Sequence, residues 1–145
     1  MSKVGPLSRA DYKVFYPIST RWADNDIYGH VNNVTYYSYF DTAANRYLIE
    51  EGGLDIGDGS VVGYVVSSGC EYHAPITYPE PVEAGLRVDR PGKRPVQEGL
   101  ARFRQGGETD GGHGPFGRVL VHLADNRHGA TIEKLRVALD KLRLP

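Results

Sequence analysis

The sequence predicts an α+β fold in which a sheet wraps one long helix. Three observations lead there. From Val34 to about Glu50 neither glycine nor proline interrupts the chain, and apolar residues recur at three- and four-residue steps. Two apolar sets lie side by side on that segment, Val34, Tyr37, Phe40, Ala44, Tyr47 and Leu48 on one and Tyr36, Tyr39 and Ala43 on the other, a face too wide for a helix docked on one side only. The surrounding segments alternate with period two instead, in the order strand, long helix, strand, strand.

Residues 13–20, KVFYPIST, open the fold as a strand, with Val14, Tyr16 and Ile18 on one side and Pro17 calling for an edge position or a bulge. The polar stretch 21–32 follows, and Asn32 or Asn33 is placed to cap the helix through a short side chain that accepts from free backbone N–H groups. The helix would be roughly 25 Å long at 1.5 Å per residue. Gly52 and Gly53 end it, LDIGDGS forms a loop, and 61–73 reads as a second strand in which Gly63 and Gly69 mark bulges or close approach. PITYPEP is a turn, and 82–89 alternates Val82, Ala84, Leu86 and Val88 as a third strand. Val96, Leu100 and Phe103 support a strand over 96–104, while the rest of 91–116 has too few sizeable apolar residues and is expected to be a mobile loop. Residues 117–125 read as a strand and 131–142 as a short helix with Ile132, Leu135, Leu139 and Leu142 on one face.

With 145 residues and no linker or repeat, a single domain over 1–145 is expected. Seventeen basic and 18 acidic residues are mixed along the chain, net charge −1, which leaves no footprint for nucleic acid or an anionic membrane. Cys70 has no partner for an intrachain disulfide, and no run approaches the roughly 18–20 apolar residues of a membrane span, so a cytoplasmic setting is expected.

Chemistry concentrates in RWADNDIYGHVNN, residues 21–33. Asp26 precedes a helix N-terminus, where free N–H groups and the helix dipole favour negative charge. A carboxylate beside such donors offers two parts of an acyl-transfer site: a base or nucleophile, and a cradle for a carbonyl oxygen gaining charge. Gly29 permits a turn or close backbone approach, and His30 suits a structural or substrate-contact role better than proton transfer. Tyr36 can line a pocket through its hydroxyl. Asp24, Asp26, His30 and Asp41 match no recognised ligand spacing, so no metal is expected, and Cys70 is expected to pack in a strand.

RWADNDIYGHVNNVTYYSYFDTAANRYL resembles the start of the acyl-CoA thioesterase family typified by 4-hydroxybenzoyl-CoA thioesterase, with Asn45-Arg46 where Ala-Arg is more usual. The similarity continues through VVSSGCEYHAPITYPEPVEAGLRVDRPG, fades from about residue 94 and returns near RVLVHLADN. The resemblance implies the hotdog fold, a long central helix gripped by a curved antiparallel sheet of five or six strands, and a homodimer or homotetramer in which sheets join edge to edge. It implies hydrolysis of an acyl-CoA, with Asp26 as the catalytic carboxylate and the Asn33 N–H polarising the thioester carbonyl. Gly29, His30, Asn32 and Tyr36 would contact substrate, and Arg90, Lys93 and Arg94 are placed to meet the nucleotide phosphates. Coenzyme A would enter as part of the substrate, with no separate cofactor. A hotdog hydratase or dehydratase, or a non-catalytic acyl-CoA-binding module, are the alternatives; the first usually shows DxxxxH or a histidine before Phe-Pro, and neither is present.

Overall fold

A computed structural model describes residues 6–55, 61–90, 96–122 and 129–143. Strands β1 (Val14–Ile18), β2 (Val61–Ser68), β3 (Glu71–Tyr72), β4 (Val82–Arg90), β5 (Val96–Arg104) and β6 (Asp110–His122) form one six-stranded sheet. The order is β1-β4-β5-β6-β2, every pairing is antiparallel, and β3 pairs with β6 beside the end of β2. Pro17 fits because β1 is an edge strand, where a missing N–H costs no ladder bond on the outer side.

The long helix α1 (Asn33–Glu50) crosses one face of this sheet and spans about 27 Å. Its buried residues are Tyr36, Tyr39, Phe40, Ala43, Ala44, Tyr47 and Leu48, so both apolar sets do enter the core. Val34 does not: it is 74% exposed. Against α1 pack Val82, Ala84 and Leu86 of β4, Leu100 of β5, Phe116 and Leu120 of β6, and Leu135, Leu139 and Leu142 of the C-terminal segment. The terminal helix α2 (Gly129–Asp140) starts two residues before the predicted point and is pinned where the Tyr47 hydroxyl donates to the Ala138 carbonyl at 2.5 Å.

Two expectations need correction. Residues 61–73 are not one strand: β2 and β3 are separated at Gly69–Cys70, although both pair with β6. Residues 105–116 are not a mobile loop throughout, because β6 already begins at Asp110 and runs through GGHGPF. Glycine is a poor strand former on its own account, yet here each one admits a neighbour that fills the missing side-chain volume. A Cβ on Gly111 would meet the Arg102 guanidinium, one on Gly112 the Tyr36 ring, and one on Gly114 would overlap the Gly69 carbonyl. Pairing on both sides then supplies the backbone bonds that the sparse apolar pattern did not announce. The predicted strand over 117–125 is the second half of β6 as far as His122; residues 123–125 lie outside the described residues.

Candidate active site

The site is built from three pieces of backbone bonded to one another: the 24–31 loop, the start of α1, and the β3–β4 connection. Val31 N–H donates to the Ile76 carbonyl (2.7 Å), Thr77 Oγ1 to the Gly29 carbonyl (3.0 Å), and Tyr78 N–H to Asn25 Oδ1 (3.1 Å). Asp24 anchors the loop from inside. Its side chain is buried and accepts from the Tyr39 hydroxyl at 2.7 Å, from Arg21 N–H at 2.8 Å, and from the Arg21 guanidinium at 2.9 and 3.1 Å. Burial alone would raise the Asp24 pKa, but the hydrogen bonds from Tyr39 and from Arg21 outweigh it and hold the carboxyl below its usual value. Burial, reinforced by the same bond to Asp24, keeps the Tyr39 phenol raised and therefore neutral.

A stability test follows from that direction. A folded-state pKa below the unfolded value, about 3.9 for Asp, contributes stability above the unfolded pKa and loses it as pH falls through the folded one. Urea midpoints of the wild type should therefore fall on acidification below about pH 4, whereas Asp24→Asn should be weaker at neutral pH and converge with the wild type in acid. Parallel curves would show that Asp24 gives no ionised-state stabilisation.

Asp26 is held differently. Its N–H donates to the His30 carbonyl (2.9 Å), its carbonyl accepts from Gly29 N–H (3.0 Å), and its Oδ1 accepts from Tyr28 N–H (2.9 Å). Gly29 closes this turn at φ +81°, a conformation that side chains disfavour. Among the described residues Oδ2 takes no bond, and the side chain is only partly buried. The two acids of the motif thus divide: Asp24 holds the loop together and Asp26 presents a carboxylate.

That carboxylate lies in a cleft of about 620 Å³ with Tyr28, His30, Val31, Asn32, Asn33, Tyr36, Tyr72, His73, Ala74 and Pro75. Asn32 is the N-cap of α1, its Oδ1 accepting from Val34 N–H at 2.9 Å. The Asn33 N–H, the first of the helix, has no partner among the described residues, as expected of a first-turn donor. Tyr72 joins the helix start from the opposite wall by donating to the Asn33 carbonyl at 3.0 Å.

Of the residues singled out in the sequence, Asp26, His30, Asn32, Asn33 and Tyr36 therefore share one cleft. Gly29 shapes the turn without lining it. The Tyr36 hydroxyl accepts from Arg102 at 2.9 Å, and Arg102 also donates to the Ala74 carbonyl. Arg90 is the last residue of β4, and its side chain lies outside the described residues. Lys93 and Arg94 lie outside the described residues. Tyr28, Tyr72 and His73 carry no local signal in the sequence: Tyr28 comes with the 24–31 loop, and Tyr72 and His73 are placed by their bonds to β6 and to the Asn33 carbonyl. The four groups weighed for a metal form no cluster among the described residues; His73, Asp110 and His113 do.

This geometry has relatives. A model of the Thioesterase superfamily matches residues 28–97, a stretch that starts just after Asp26. The crystal structure of the PA5185 protein from Pseudomonas aeruginosa strain PAO1 is similar at 53% identity over 95% of this chain and 96% of that one, with a TM-score of 0.88. The chain belongs to the thioesterase superfamily. A thioesterase from Thermus thermophilus, complexed with coenzyme A and Zn, is 26% identical over 86% of this chain and 98% of that one, TM-score 0.64. DHNA-CoA thioesterase from Staphylococcus aureus, 18% identical over 88% and 91% with a TM-score of 0.73, shares the fold. Comparison with curated protein sequences gives no match. The expected hotdog architecture is the one found, with one long helix on a six-stranded antiparallel sheet. No described helix is long and apolar enough to cross a membrane.

Proposed function

We propose that this superfamily member hydrolyses an acyl-CoA thioester to a free acid and coenzyme A, with Asp26 as general base or nucleophile and the Asn33 N–H as the donor to the developing oxyanion. The observation that carries this reading is the pairing, in one cleft, of a carboxylate oxygen and a first-turn N–H that both lack protein partners among the described residues. Superfamily membership supports the reaction class, and the coenzyme A complex of the Thermus thermophilus relative supports the ligand class. A volume of about 620 Å³ also suits a ligand of this size, since such sites occupy roughly 300–1,000 Å³. In either route water supplies the oxygen and the thiol departs; Asp26 accepts the water proton directly, or first forms a mixed anhydride that water cleaves. No cofactor enters, because coenzyme A is the leaving group.

Thiol release from a panel of aliphatic and aromatic acyl-CoAs tests the proposal. Stoichiometric thiol with at least one substrate is expected; binding without thiol release points to a binding module, and double-bond hydration without it to a hydratase.

The working unit is proposed to be a homodimer joined through β2. This strand forms one edge of the β1-β4-β5-β6-β2 order, and Tyr64, Val65, Val66, Ser67 and Ser68 are consecutively exposed, so both of its faces are bare. Such an apolar edge is a template for pairing with another strand. Light scattering should return the mass of a dimer, or of a tetramer built from two. Val66→Glu should give a monomer with reduced thioesterase activity, because Tyr72 and the cleft lie beside the same edge; a monomeric wild type would remove this assignment.

A further inference from the structure

Across β5 and β6 the register slips at Arg102/Phe103: Arg102 faces Gly112, Phe103 faces Asp110, and Gly111 is the extra residue. In a regular strand Asp110 and His113, three apart, would point to opposite faces. The bulge restores them to one face, the same side as Ala101 and Phe103, opposite the face that packs on α1. His73 arrives beside them because its N–H donates to the Gly111 carbonyl at 2.9 Å. Three ligating side chains, 40 residues apart in sequence between His73 and His113, thus converge in a nearly closed site: the Asp110 side chain is fully buried, and those of His113 and His73 are 12% and 15% exposed.

The distances are those of a coordination shell. His73 Nε2 lies 3.3 Å from His113 Nδ1 and 3.9 Å from Asp110 Oδ1, and His113 Nδ1 lies 3.2 Å from Oδ1. A triangle with these sides has its circumcentre about 2.0 Å from each corner, the bond length of zinc to imidazole nitrogen and carboxylate oxygen. Closing the longest side by a few tenths of an ångström lifts that point out of the plane, which leaves a fourth tetrahedral position for water.

Protons alone do not satisfy the cluster. His113 Nδ1 faces both carboxylate oxygens, at 3.1 and 3.2 Å, and the His73 nitrogen as well. A single Nδ1–H serves the carboxylate and leaves His73 Nε2 without a donor; a bare Nδ1 accepts from His73 but turns its lone pair on the carboxylate. A cation at the centre is favourable to all three. Asp110 is also fixed from behind, its Oδ2 accepting from Leu7 N–H at 2.8 Å, the kind of outer contact that orients a ligating carboxylate.

We propose that His73, Asp110 and His113 form a binding site for a divalent transition-metal cation, zinc foremost. Two imidazoles and one carboxylate suit zinc, cobalt or nickel, and offer too few oxygens for calcium or magnesium. The ion would tie the N-terminal segment and the β3–β4 connection to β6, and so fix His73, Ala74 and Pro75 in the wall of the cleft. This assignment rests on neither Asp26 nor Asn33 and stands or falls apart from the hydrolytic reading.

Titration of metal-free, full-length protein with Co²⁺ and Zn²⁺ is the test. One ion per chain, intense tetrahedral cobalt bands displaced by zinc, and a thermal midpoint raised by zinc are expected. Asp110→Asn and His113→Gln should each weaken binding by roughly 100-fold, the upper end of what even an outer partner costs. X-ray absorption on the zinc-loaded wild type reads the shell directly should a variant fail to fold, with two imidazoles and oxygen expected. No binding, a shell without imidazole, or unchanged affinity in two folded variants would overturn the proposal and leave a hydrogen-bonded cluster only.

Discussion

Asp26→Asn should lower kcat/KM for the best acyl-CoA substrate by roughly 10²–10⁴-fold, the range associated with a positioned acid–base group, while leaving the thermal midpoint close to that of the wild type. The substitution isolates the charge. An asparagine retains an Oδ1 that can accept from Tyr28 N–H, now 2.9 Å from the aspartate, so the turn closed by Gly29 persists. What disappears is the negative charge and the oxygen that has no partner among the described residues. Asn33→Ala should do much less, because the proposed oxyanion donor is its backbone N–H and alanine keeps it. Asn32→Ala instead removes the N-cap bond to Val34 and should cost about 1 kcal/mol of stability, read by urea unfolding. A wild-type rate of thiol release from folded Asp26→Asn would eliminate Asp26 as the catalytic carboxylate.

The parts of the fold and site that were legible in the sequence are those governed by near neighbours. The helix from residue 33 to 50 declares itself through uninterrupted periodicity, its cap through Asn32, and the Asp26–Asn33 pairing through their place on either side of a helix start. Even there spacing alone does not settle every position, since Val34 has the right spacing for the buried stripe and is nevertheless 74% exposed. Only the first half of β6 was illegible, because it owes its existence to β5 on one side and β3 on the other, with glycines that make room for Arg102, Tyr36 and the Gly69 backbone. The His73–Asp110–His113 cluster was hidden for a related reason. Its members meet only through β-pairing and a one-residue bulge that changes the phase of the strand, and neither leaves a local pattern. The division between Asp24 and Asp26 likewise needed Tyr39 in place, fifteen residues on, to show which carboxylate is committed to structure.

The second large effect is expected far from the cleft. Glu98 on β5 and Arg118 on β6 form an ion pair at 2.9 Å with both side chains almost wholly enclosed, and neither is fully satisfied: Glu98 Oε1 and Arg118 Nη2 have no partner among the described residues. Burial raises the Glu98 pKa despite the opposing guanidinium, with Asp41 adding to the rise. Removing one partner leaves the other charge buried and uncompensated, so Glu98→Ala should cost about 3–5 kcal/mol in urea unfolding. Replacing both, as Glu98→Leu with Arg118→Met, removes the desolvation penalty along with the attraction and should be near neutral or stabilising by about 1–4 kcal/mol. The two outcomes separate a pair that stabilises the fold from one that specifies a connection. Arg118 also donates Nη1 to the Gly63 carbonyl at 3.2 Å, and Gly63, with no side chain, lets the arginine lie over β2. The double variant should therefore keep its stability yet hold β2 less firmly, and the proposed dimer should dissociate at lower dilution factors than the wild type in light scattering. If Glu98→Ala instead costs less than about 1 kcal/mol, the scale of an ordinary exposed pair, the enclosed charge has access to water and the link from this pair to the β2 edge is lost.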